Sequence, residues 1–270
     1  MGAALPLSEG EFNDVLRRVD EGMQKIGDLT NDIVDACNRF GRWLGPLWDD
    51  VADLLDRFVD LVQRVLSEIG KFFTRPGVPW TLWNHGTDWV KGVGKPVSDL
   101  ISQATTGQSD IDERWQGPAA TAYLGTLPDQ GKALAAIVAA TADIDDALTK
   151  VAGGIIAFWL GVLAAIVPFI IELTGWGAAA STGVGAPPAA AGAGVSTLKV
   201  LGILTAVITA AITYLTAVSS QYKDLLQRVE NNDGFPQGHW PRSTNDVIAD
   251  GSMTPDEAGD KTTNWHLRTS

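Results

Sequence analysis

The sequence predicts an all-α protein, an elongated bundle of long antiparallel helices with an apolar helical hairpin and a disordered C-terminal tail. Three observations predict it. Apolar residues recur at spacings of three and four through the first 75 positions, the period of one helix face. Two later arms, Ile155 to Trp176 and Leu198 to Val218, are apolar almost throughout, and each has the roughly 20 residues that cross a ~30 Å hydrocarbon core. From Asn231 to Ser270 the periodicity stops and polar, turn-forming residues take over, a composition too poor in core formers to offset the entropy of ordering.

Composition bounds the chemistry. The chain has 270 residues and a formal net charge of −12, with no basic stripe; nucleic acid is excluded as an expected partner because phosphate binding draws on clustered Lys and Arg. A single cysteine, Cys37, has no intrachain partner for a disulfide and reads as a small buried hydrophobe. The start, MGAALPLSEGEFNDV, lacks the basic and apolar regions of a secretory signal. Pro6 stands where a myristoylation motif places Ser or Thr.

In chain order, Ser8 and Glu11 have capping-box spacing. Phe12, Val15, Val19, Met23, Ile26, Ile33 and Val34 then mark an amphipathic helix from about Glu9 to Phe40. A second stripe runs through Leu47, Val51, Leu54, Phe58, Leu61 and Val65, with Gly41 and Gly45-Pro46 expected to break or kink the chain between them. These stripes, residues 1–75, read as bundle core. Residues 76–96 form a Gly/Pro-rich connector with Trp80, Trp83 and Trp89, which suit either a membrane interface or the pinning of a loop onto the bundle. His85 lacks a ligand-like neighbour, so no metal is expected.

Residues 97–150 contain SDIDERWQGPAATAY. Ser109 suits a helix N-cap, Gly117 breaks the helix, and Pro118 suits the first position of the next, so Trp115 and Gly117 read as a helix-turn-helix elbow. Pro128 is expected to kink the second helix of the elbow or restart it. The segment RWQGPAATAY resembles the Trp-X-Gly family of small helical hairpins exported by type VII secretion systems in actinobacteria and their Gram-positive relatives, with Trp115 and Gly117 at the family's turn. The resemblance implies helical pairing linked to secretion. The family's export signal, a Tyr followed by an acidic residue, is absent: Tyr123, Tyr214 and Tyr222 are followed at that spacing by Leu127, Val218 and Leu226. Export on the family's pattern therefore implies a signal-bearing partner.

Residues 151–222 form the apolar hairpin, whose only charges are Glu172 and Lys199. Small residues recur every fourth position, Gly153, Ala157, Gly161 and Ala165 on one arm and Gly202, Ala206 and Ala210 on the other; such ridges let helix backbones approach closely in a membrane. Thr205, Thr209 and Thr213 make a hydroxyl stripe, read as a polar path in an oligomer or as hydroxyls bonded within a helix pair. Trp159, Trp176 and Tyr222 fall near arm ends, as interfacial aromatics do. Glu172 reads as an acid trigger or as a charge reaching the far interface, since a charge at bilayer depth costs at least ~2.5 kcal/mol. Residues 223–270 are a helix end and polar tail.

No phosphate loop, nucleophile elbow or paired-histidine motif occurs, so no enzyme activity and no cofactor are expected. With what the resemblance implies, the expected function is that of a type VII secretion-associated helical protein, secreted or membrane-associated, that inserts its hairpin into lipid, with oligomerisation into a pore as one outcome. The alternative is a soluble helical binding partner or adaptor of a secretion substrate, with the hairpin buried as core. The expected partners are membrane lipid and a helical protein or further copies of this chain.

Overall fold

Why the apolar stripes pair is visible in a computed structural model of the protein, which describes residues 5–44, 48–103, 115–116, 118–182, 184–230, 234–242 and 266–267. The fold is an all-α bundle of long helices with an adjacent apolar helix pair: α1 (Glu9–Leu44), α2 (Trp48–Phe73), α3 (Pro79–Trp89), α4 (residues 95–103), α5 (Pro118–Ala180) and α6 (Ala186–Glu230). The chain divides into two compact units. One contains residues 3–81 and 150–217; the other contains 1–2, 82–149 and 218–270.

The first unit holds the apolar core. Its α1 starts at the capping box: Ser8 Oγ accepts from the Glu11 backbone N–H at 3.3 Å, and Glu11 accepts from the Ser8 N–H at 2.7 Å. Hydrogen bonds from Ser8 hold Glu11 ionised below its ordinary range, the backbone one first and the hydroxyl after it. The stripe Phe12, Val19, Ile26 and Ile33 is buried against Val51, Leu55, Phe58, Val62, Val65 and Ile69 of α2. Gly41 does not break α1, which continues to Leu44; one glycine costs a helix about 1 kcal/mol, and packing outweighs it. Cys37 lies within this core, and burial pushes its thiol pKa up.

The third long element of this core is the apolar half of α5. Gly22 of α1 faces Ile166, and Gly177 faces Ile33, so α1 and α5 run parallel. At the far end Phe72 and Phe73 of α2 meet Phe158 and Trp159, with ring centroids 5.0 and 5.6 Å apart. The helix is continuous through Pro128 and Pro168, so the kink expected at Pro128 does not end it.

The Gly/Ala/Pro stretch joining the arms is mostly helical rather than loop. Only residues 181–185 separate α5 from α6. Gly192 explains the tight return: the Trp176 ring lies directly over its Cα, in the space any side chain would need.

The 76–96 connector is corrected in the same sense. Pro79 opens α3 at the position where a missing N–H costs nothing. A single π turn, Val90–Gly94, leads into α4. Within the second unit, Gly86 is there for close approach: a Cβ on it would lie 3.0 Å from Asp145 Cα and 3.3 Å from the Asp145 carbonyl oxygen, both backbone atoms of α5. Gly86→Ala is therefore expected to cost about 1–3 kcal/mol by overpacking. Gly92→Ala, with nothing within 4 Å, is expected to be neutral or stabilising; urea melts of the two variants check the contrast.

The polar C-terminal stretch is described only in part. A 3-10 turn spans Pro236–Gly238, the Pro241 carbonyl accepts from Gln130 at 3.0 Å, and His266–Leu267 pairs antiparallel with Trp115–Gln116. The rest of the expected tail lies outside the described residues.

Candidate functional site

The two arms of the hairpin differ in what surrounds them. On α5 the inward residues Ile156, Trp159, Val162, Ile166, Phe169 and Leu173 are core. Of the most apolar 18-residue window of α5, 39% is buried, against 11% of that of α6. The pairing of the arms is antiparallel, with Trp176 against Gly192, Gly161 against Val207 and Gly154 against Tyr214.

A charged pair bridges the two arms at their exposed surface, beside a Trp–Ser hydrogen bond. Trp176 Nε1 donates to Ser196 Oγ at 3.1 Å, and Lys199 Nζ lies 3.4 Å from Glu172 Oε1. The Ser196 hydroxyl holds the Glu172 pKa below the ordinary carboxylate range, with burial opposing it and the nearby Lys199 lowering it further. A depressed pKa contributes stability that is present at neutral pH and is lost as pH falls through the folded value. Discharging Glu172 thus needs a pH below the normal titration of a glutamate. Both side chains are more than a third exposed, so Glu172→Gln is expected to cost at most about 1 kcal/mol, with the difference from wild type fading below about pH 4 in acid melts.

The small-residue ridges do not meet each other. Gly161 packs on Val207, with a Cβ falling 3.1 Å from Val207 Cγ1, while Gly153 and Gly202 have nothing within 4 Å. Ala165 is buried, whereas Ala157, Ala206 and Ala210 are exposed. The threonine stripe is also exposed, and Thr205 and Thr213 donate back to the carbonyls of Leu201 and Thr209 at 2.8 and 2.9 Å, which is the within-helix use of such hydroxyls.

The aromatics fall into two groups. Trp159 is 1% exposed, and its Nε1 donates to the Pro76 carbonyl at 2.9 Å; it is a core pin, so its reading as an interface residue is corrected. Trp80 packs on Phe12 with tilted ring planes and centroids 5.3 Å apart. Trp83 and Trp176 are half-buried, whereas Trp89 and Tyr222 are exposed.

Two features that sequence reasoning misses stand out. One is a seam on the outer face of α5: Leu160, Ala164, Val167 and Ile171 are all exposed. Their steps of four, three and four are those of a face that packs against another helix. The second is an apolar groove of about 660 Å³ between the α2–α3 turn and the α5–α6 pair. Gly153, Ala157 and Gly161, most of the first arm's predicted ridge, line it. Neither is legible in the sequence, because in an arm apolar on every side no pattern separates the inward face from the outward one.

The Trp-X-Gly reading is corrected. Trp115 and Gln116 are extended, and Pro118 opens a helix of 63 residues. The family's hairpin closes its apolar faces by folding one helix on the other; here several helices of a large bundle pack on α5. Gly117 itself lies outside the described residues. Among the described residues, no cluster of three His, Cys, Asp or Glu is placed to hold a metal. Comparisons with protein-family models, curated proteins and solved structures found no match to this chain.

Proposed function

We propose that the protein is a non-enzymatic helical binding protein, an adaptor whose apolar arms are built into a soluble bundle. The seam Leu160, Ala164, Val167 and Ile171 docks an amphipathic helix of a protein partner. The observation that carries this reading is that α5 is apolar on two opposite faces, one filled by α1 and α2 and the other bare. Spacing supports a helix as the occupant, since steps of three and four present knobs to a facing helix.

A photo-crosslinking amino acid at Ala164 tests it in cells making the full chain. The reading expects a discrete protein adduct, at twice the chain mass if the partner is a second copy. The adduct should be lost on Val167→Glu or Ile171→Glu with unchanged melting. Crosslinking only to lipid at Ala164 contradicts it.

One observation favours a second reading, in which α6 lies against a bilayer: little of its apolar window is covered, and Thr205, Thr209 and Thr213 give it an uncharged outer face. The same crosslinker at Thr209 is expected to label lipid on that reading and to give no lipid adduct on the first.

A further inference from the structure

We propose that the groove between the α2–α3 turn and the α5–α6 pair binds one straight aliphatic chain ending in a carboxylate, a free fatty acid, with Arg75 at its head. This site is independent of the seam on α5 and holds whatever docks there.

The groove's size is the first argument. A volume of about 660 Å³ falls in the range of roughly 300–1,000 Å³ typical of small-ligand sites, which suits a single chain better than a two-chain lipid. Its walls are the second. Phe72, Phe158, Ile208, Ile212 and Leu215 supply apolar surface, and of the α5 glycines in the lining Gly154 and Gly161 are covered by Tyr214 and Val207 while Gly153 leaves space open. Gly153 has nothing within 4 Å of where its Cβ would stand.

The polar groups of the wall supply the third argument. The Trp159 N–H is donated to the Pro76 carbonyl, and the Tyr214 hydroxyl donates to the Lys150 carbonyl at 2.9 Å. Both donors are already used, so a ligand with acceptor groups along its body would lose water and gain no donor from these two side chains. The only charged side chain in the lining is Arg75, which makes no ion pair among the described residues. Guanidinium is suited to a carboxylate, which it holds through two parallel N–H donors. The turn that carries Arg75 is fixed on α5: Gly77, at φ +85°, lies against Ile155. The lining is thus apolar apart from one cationic side chain, the complement of a fatty carboxylate.

Calorimetric titration of the full chain with monomeric hexadecanoate tests this. Saturable binding at one site is expected. Ala157→Leu, which puts a side chain into the groove from an exposed helix position, should weaken it by at least about tenfold, and Arg75→Gln by about tenfold. Arg75→Gln should leave hexadecanol binding unchanged, and hexadecanol should bind wild type more weakly than the carboxylate. Melting curves establish that both variants fold. Should Ala157→Leu melt below wild type, Gly153→Leu replaces it. Any of four results overturns the proposal: no saturable binding of hexadecanoate, binding unaffected by a folded groove-filling variant, equal binding of acid and alcohol to wild type, or binding to phosphatidylglycerol vesicles without binding of the free acid.

Discussion

Ile166→Asp is expected to unfold the bundle or bring it close to unfolding, while Ile171→Asp, five residues along the same apolar arm, leaves stability within about 0.5 kcal/mol of wild type. Ile166 is 0% exposed and faces Gly22 of α1, whereas Ile171 is 68% exposed. A carboxylate at position 166 has no cation to meet; removing the partner from a buried charge costs about 3–5 kcal/mol, much of a typical domain's total of about 5–15 kcal/mol. At position 171 the same carboxylate stays in water. In a bilayer-spanning arm the two substitutions cost similar amounts, about 2.5–3.5 kcal/mol near the centre on insertion scales. The ratio of the two effects therefore separates a core helix from a membrane span, and urea denaturation of both purified variants reads it.

Trp159→Ala is expected to cost about 3–5 kcal/mol, the range for emptying a large aromatic site in a core. The indole is enclosed by Phe73 and Phe158, with centroids at 5.6 and 5.2 Å, and its N–H anchors the turn after α2 through Pro76. Trp159→Phe keeps most of the volume and loses the hydrogen bond, so about 1 kcal/mol is expected from the bond beside a smaller packing loss. Thermal melts of the two variants give both figures. A similar cost for both would place the stabilisation in the bond to Pro76 rather than in the packing.

How much of this is legible in the sequence depends on contrast. The stripes of α1 and α2 alternate apolar and charged residues, so Phe12, Val19, Ile26, Val51, Phe58 and Val65 are readable as core from their spacing alone. The capping box at Ser8 and Glu11 is readable for the same local reason. The apolar arms offer no such contrast. Ile166 and Ile171 look alike in the sequence, and only α1 packed against one of them makes the difference.

Glycine misleads in two places for a related reason. In the sequence Gly86 and Gly192 look like marks of irregular chain. Both lie in helices, where the missing side chain admits Asp145 in one case and the Trp176 ring in the other. Conversely, the ridge Gly153, Ala157 and Gly161 has the spacing of a helix contact, yet Gly153 meets nothing where Gly161 meets Val207, and all three line a groove. A small residue records that something is close or that something is missing, and sequence alone does not distinguish the two.

The central claim is that the apolar arms belong to a soluble bundle. Alkaline extraction of membranes from cells producing the full chain tests it most directly. The account predicts that the protein is released into the supernatant without detergent and stays folded there on return to neutral pH. Retention in the alkali-washed pellet, with release only by detergent, would contradict it.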